Sequence, residues 1–177
     1  LIGSLTACKQ PKGVDIEPLQ LVPRDATAVV GFTLDPIRKS PIGDAVGPAL
    51  RSDPDLNAMI TSVAACEVNL DRLEGVIATK LDDDDRFMAV IETPGIGDED
   101  VVRCMEKELG KVTGEGSGII LFETRGDVRI TPQEDGGYLI MLNKDAIAVV
   151  DKPWENAVFA AIESAEGRNT DSAIAKA

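Results

Sequence analysis

Leu73-Glu74-Gly75-Val76-Ile77-Ala78-Thr79-Lys80-Leu81 and Phe87-Met88-Ala89-Val90-Ile91-Glu92-Thr93 are two apolar, partly β-branched runs. Between them stands Asp82-Asp83-Asp84-Asp85-Arg86. Each run has the length of a strand, and a charged stretch between two such runs is a solvated turn, so the pair reads as a β-hairpin. Upstream the period changes. Ser52-Asp53-Pro54 is a helix start, with Ser or Asp as cap and proline in the first turn. Leu56, Ile60, Val63 and Ala64 then recur on one helical face, and Cys66 lies near that helix's end. Downstream, Asp98, Glu99 and Asp100 precede Val101, Val102, Met105 and Leu109. Acidic residues in a first turn favour a helix N-terminus, and Gly110 is a natural stop.

Working outward, Thr27 to Leu34 reads as a strand ended by Asp35-Pro36, Ser40-Pro41 begins a short helical turn, and Ile119 to Thr124 is a further strand. From Thr27 to Thr124 the order is therefore β-α-β-β-α-β. That order predicts an α+β fold: a ferredoxin-like split βαβ layer, an antiparallel sheet with helices on one face. Val128–Thr131, Tyr138–Leu142 and Ala146–Val150 extend it as hairpins, turning at Glu134-Asp135-Gly136-Gly137 and Asn143-Lys144-Asp145. Pro153 opens a late helix with Val158, Ala161, Ile162 and Ala165 on one stripe, and Trp154 reads as its core anchor. Thr170-Asp171 is expected to cap another helix, so residues 22–167 form one domain and 168–177 begin a helix that the sequence cuts off.

With 177 residues and 44% apolar content, the chain can bury a sizeable core, but 3% aromatics leave it to Val, Ile, Leu, Met and Ala. A net charge of −13 leaves no basic stripe to replace phosphate counterions, so nucleic acid is not an expected partner. Histidine is absent. That removes Ser-His-Asp and Cys-His nucleophile systems and His-ligated zinc and haem, while carboxylate, lysine and metal chemistry stay open.

Leu1-Ile2-Gly3-Ser4-Leu5-Thr6-Ala7-Cys8 is apolar, rich in small residues and lacks an initiating Met. It looks like the end of a signal peptide joined to a bacterial lipobox, in which the Cys thiol receives a diacylglycerol and a peptidase cuts before it. On that reading residues 1–7 are a signal remnant, Cys8 is the lipidation site, and residues 8–21, with two prolines and no sustained period, are a linker. The bland reading of Cys8 is an inert thiol in a buried strand. If Cys8 is lipidated, the three cysteines resolve into one anchor and one pair, Cys66 and Cys104. Exported chains live in an oxidising compartment, where such a pair tends to be a disulfide. Side-by-side helices on one sheet face would bring the two together; two buried free thiols are the alternative.

The lipobox, Val22-Pro23-Arg24-Asp25-Ala26-Thr27-Ala28-Val29-Val30, Ser40-Pro41-Ile42, the helix ending at Cys66 and Val102-Arg103-Cys104-Met105 together resemble an uncharacterised bacterial envelope lipoprotein family. The resemblance spans residues 22 to 165. It implies lipid anchoring, paired cysteines and often a second similar unit, and supplies no activity to carry over.

Among candidate sites, Asp82, Asp83, Asp84 and Asp85 offer hard oxygen ligands for calcium, yet lack the spacing of an EF-hand and fit a solvated turn. Gly110 to Gly118 is glycine-rich but leads into a strand, whereas a phosphate cradle needs a helix N-terminus. Arg125-Gly126-Asp127 matches an adhesion tripeptide and fits a hairpin turn more simply. No catalytic residue, cofactor or metal is expected. The expected function is a non-catalytic envelope lipoprotein, periplasmic or outer-surface, with the membrane and an envelope protein as partners; the alternative is a carboxylate- or metal-dependent hydrolase on the same surface.

Overall fold

The computed structural model describes residues 11–80, 86–113, 121–133 and 136–174. Cys8 and Asp82–Asp85 lie outside those residues. The fold is α+β, built on one open, seven-stranded antiparallel sheet. In chain order the elements are α1 (Pro18–Leu21), β1 (Ala28–Thr33), α2 (Leu34–Arg38), α3 (Pro41–Ser52), α4 (Pro54–Ala65), β2 (Glu74–Lys80) and β3 (Arg86–Glu92). Then follow α5 (Glu99–Thr113), β4 (Glu123–Arg125), β5 (Val128–Pro132), β6 (Tyr138–Asn143), β7 (Ala146–Val150) and α6 (Glu155–Ile174).

The order along the chain is the β-α-β-β-α-β expected, but its spatial arrangement is not a split βαβ layer. The sheet runs β1-β2-β3-β7-β6-β5-β4, so β1 pairs antiparallel with its successor β2. A split βαβ needs the helical connection to cross over the sheet and return a parallel strand. Here α2, α3 and α4 form an arm that packs within itself and against α5, so β2 comes back directly beside β1.

Helices cover both faces, not one. The cause lies in the central strands, which are apolar on both sides of the pleat. Val90, Ile140, Leu142, Ala148 and Val150 face one core together with Val158, Phe159 and Ile162 of α6. Met141 and Ile147, with Ile91 and Leu139, face the other, against Val102 and Met105 of α5 and Cys66 beyond α4. α6 is continuous from Glu155 to Ile174, so Thr170-Asp171 starts no second helix. Gly167 inside it costs only about 1 kcal/mol, too little to break a helix already anchored on the sheet. Likewise α5 runs three residues past Gly110, to Thr113.

Part of the expected 8–21 linker belongs to the core. Val14, Ile16 and Leu21 are buried under the α6 side of the sheet, making residues 13–21 a strap. Gly13 N–H donates to the Asp127 carbonyl at 2.9 Å, Val14 N–H donates to Leu142 O, and Asn143 Nδ2 donates to Val14 O at 3.2 Å. Gly13 has φ of 75°, and a Cβ there would stand 2.9 Å from Asn143 Cα, so only glycine lets the strap come this close. Pro11 and Pro18 had suggested a spacer; apolar side chains at alternate positions 14 and 16 outweigh them by burial.

Candidate functional site

Three constellations stand out, and two are structural. Asp25 is the first. Its Oδ1 accepts from Trp154 Nε1 at 3.1 Å, and its Oδ2 lies 2.9 Å from Arg86 Nη1 and 3.4 Å from Lys80 Nζ. One carboxylate thus ties the segment between the strap and β1 to β2, β3 and the turn before α6. This gives the Val22-Pro23-Arg24-Asp25 motif a role in the fold. Asp25→Ala should cost about 1–3 kcal/mol, because it strands a buried indole N–H and removes one ion-pair partner of Lys80 and Arg86. Urea denaturation is the check, and a loss below about 0.5 kcal/mol would show that water replaces the carboxylate.

The second is the cysteine pair. Cys66 and Cys104 have Cα atoms 5.6 Å apart with sulfurs at bonding distance, a disulfide-compatible geometry. Cys66, just after α4, is buried, and Cys104 lies on α5. The clip therefore joins the helical arm to the helix that covers the sheet.

The third is a groove beside β1. Register places Thr33, Glu74, Glu92 and Ala146 in one row across four neighbouring strands. The two glutamates are direct cross-strand neighbours on the face the strap covers. They line a pocket of about 330 Å³ that also touches Pro18, Gly31 and Thr33. It opens into a wider cleft of about 880 Å³, where Lys12, Arg72 and Lys144 stand opposite Asp15, Glu74 and Glu92. Burial, and then the negative charges of Glu74, Glu17 and Asp15, raise the pKa of Glu92 above its ordinary value of 4.5.

Glu92 thus titrates at higher pH in the folded chain than in the unfolded one. Its relief is complete below the unfolded value and is lost as pH rises through the folded value. Glu92→Gln should therefore stabilise the protein at pH 7, by about 0.5 kcal/mol for a solvent-screened cross-strand pair. The gain should vanish below about pH 4. Thermal melts at both pH values test this, and a less stable variant at pH 7 would mean that the carboxylate is held by a favourable partner instead.

Glu74 and Glu92 were not singled out from sequence, and counting outward from the middle of Asp82–Arg86 sets Glu74 opposite Pro94, two places from the observed register. Chemically, the groove offers adjacent carboxylates in an open, wet setting, suited to holding a cation or a hydrogen-bond donor. Among the described residues, no group of three or more carboxylate or thiol side chains is placed to hold a metal. Arg125-Gly126-Asp127 is a turn docked on α6: Arg125 lies 3.7 Å above the Phe159 ring and pairs with Glu155, and the Asp127 N–H donates to Glu166. Trp154 is a core anchor, 1% exposed. No described helix is long and apolar enough to cross a membrane.

Fold and groove define an α+β domain with an open antiparallel sheet whose uncharged edge strand β1 pairs, among the described residues, with β2 alone. No protein-family model, curated protein or solved structure matches the chain.

Proposed function

We propose that this chain is a non-catalytic bacterial envelope lipoprotein that binds or assembles with another envelope component. The observation that carries the reading is Leu5-Thr6-Ala7-Cys8 at the front of the sequence. A disulfide-compatible pair in the domain suits an oxidising compartment. The absence of histidine supports binding over chemistry. Because the strap packs from Gly13 onward, only residues 9–12 separate the lipid from the fold, a span of at most ~18 Å. Such a tether holds the domain against the bilayer surface. Labelled fatty acid should enter the full-length precursor, and Cys8→Ser should release the protein into the soluble fraction. A serine variant that stays labelled and membrane-bound would overturn the anchor.

The Glu74–Glu92 pair, with the pKa of Glu92 raised, is the one observation that favours the alternative, a carboxylate-dependent hydrolase. A broad hydrolase screen decides between the two: turnover abolished by Glu92→Gln would establish the enzyme, and no turnover leaves the binding reading standing.

A further inference from the structure

β1 is the end of the sheet, and among the described residues it has β2 as its sole neighbour. Its outward backbone groups follow from the ladder. One residue beyond the strand, Leu34 N–H donates to Leu73 O at 2.9 Å, in register with Thr33–Glu74. Hydrogen-bonded pairs alternate, so the even residues of β1 bond to β2 and the N–H and C=O groups of Val29, Gly31 and Thr33 point away from it. Natural edges are blunted by lysine, proline, inward charge or a cover. Ala28-Val29-Val30-Gly31-Phe32-Thr33 has neither charge nor proline. Val29 and Val30 are 45% and 59% exposed, and a Cβ built at Gly31 meets nothing nearer than the Gly75 carbonyl at 3.9 Å.

We propose that β1 docks an extended, basic segment of a partner protein, which adds to the sheet as an eighth strand. Main-chain hydrogen bonds to Val29, Gly31 and Thr33 give such a strand its purchase, and alternate side chains give it specificity. On one face its apolar side chains lie beside Val30 and Phe32. On the other its basic side chains reach the pocket beside Gly31 and Thr33, walled by Glu74 and Glu92 without a lysine or arginine among its described lining residues. Charge decides the occupant. The chain carries −13 overall, so a second copy or an acidic strand would meet repulsion where a cationic strand relieves it. The proposal rests on the binding reading above and names the partner's chemistry.

The test uses the purified chain and an end-capped octapeptide alternating valine and lysine, with a valine–glutamate peptide as control. Fluorescence anisotropy should show binding of the lysine peptide alone, weakened about tenfold by Glu74→Gln with Glu92→Gln and weakened by added salt. NMR should show the amides of Val29, Gly31 and Thr33 shifting and gaining exchange protection, while Val30 and Phe32, already in the ladder, change little. Gly31→Pro removes an outward donor at an edge position where proline is tolerated, and should abolish binding with the fold intact. The wild-type amide pattern decides even where that variant fails to fold. No binding, equal binding of both peptides, or shifts elsewhere would overturn the proposal. Protection of those amides that grows with protein concentration alone would overturn it too, in favour of a second copy. Each failure leaves the Cys8 labelling result untouched, so the two readings fall separately.

Discussion

Trp154→Ala should destabilise the fold by about 3–5 kcal/mol, the largest loss expected of any single substitution discussed here. The side chain is 1% exposed and packs in the core that also holds Val14, Leu21, Val150 and Val158. Its removal opens a cavity among small aliphatic residues that cannot refill it, since aromatics make up only 3% of the chain. It also strips Asp25 of its indole donor. A 1 kcal/mol loss shifts the midpoint of a domain this size by roughly 2–4 °C, so the melting temperature should fall by roughly 10 °C or more. Circular dichroism is the readout, because Trp154 is the only tryptophan and its fluorescence goes with it. Trp154→Phe separates the two contributions: it keeps most of the ring and loses the N–H, so it should cost about 1–2 kcal/mol. If alanine and phenylalanine cost the same, the hydrogen bond to Asp25 dominates and the packing argument fails.

Breaking the Cys66–Cys104 link should cost about 4 kcal/mol in the chain-entropy account of a separation of 38 residues. The loss should be uneven. α3 touches only α2 and α4 among its principal contacts, and α4 is held chiefly by α5, so the arm has little other purchase on the sheet. Besides the clip, Ser62 Oγ donating to Glu108 O at 3.3 Å and the apolar contact of Val63 are among the described contacts that join α4 to α5. Reduction, or the double variant Cys66→Ala with Cys104→Ala, should therefore speed amide exchange first in α3 and α4, with β6 and β7 protected until global unfolding. Uniform acceleration across the sheet would show that arm and sheet open as one unit.

Much of this architecture is local and therefore readable. The strands announce themselves as β-branched runs between turn residues, the helices as 3.6-residue stripes, and the short charged stretch between them makes β2 and β3 neighbours. The pairing of Cys66 with Cys104 was also within reach, on the expectation that Cys8 serves as an anchor and leaves one pair among three cysteines. Even the two-sided cover was latent in Tyr138–Leu142 and Ala146–Val150, apolar at successive positions rather than alternating, as strands buried on both faces must be.

Local pattern was thus enough for the α+β class, the seven strands, the helices α4, α5 and α6, and the hairpin of β2 with β3. Collapse of the whole chain was needed to bring β1 beside β2 and β3 beside β7, to set Glu74 against Glu92, to fold Val14, Ile16 and Leu21 into a strap, and to bring Asp25 to Trp154. The physical reason is range. Period and turn chemistry act over a few residues, whereas strand order and long-distance hydrogen bonds are settled by which apolar faces are left to cover once the whole chain has collapsed. Among the described residues β1 is thereby left at the edge of the sheet, while the arm that follows it packs on α5.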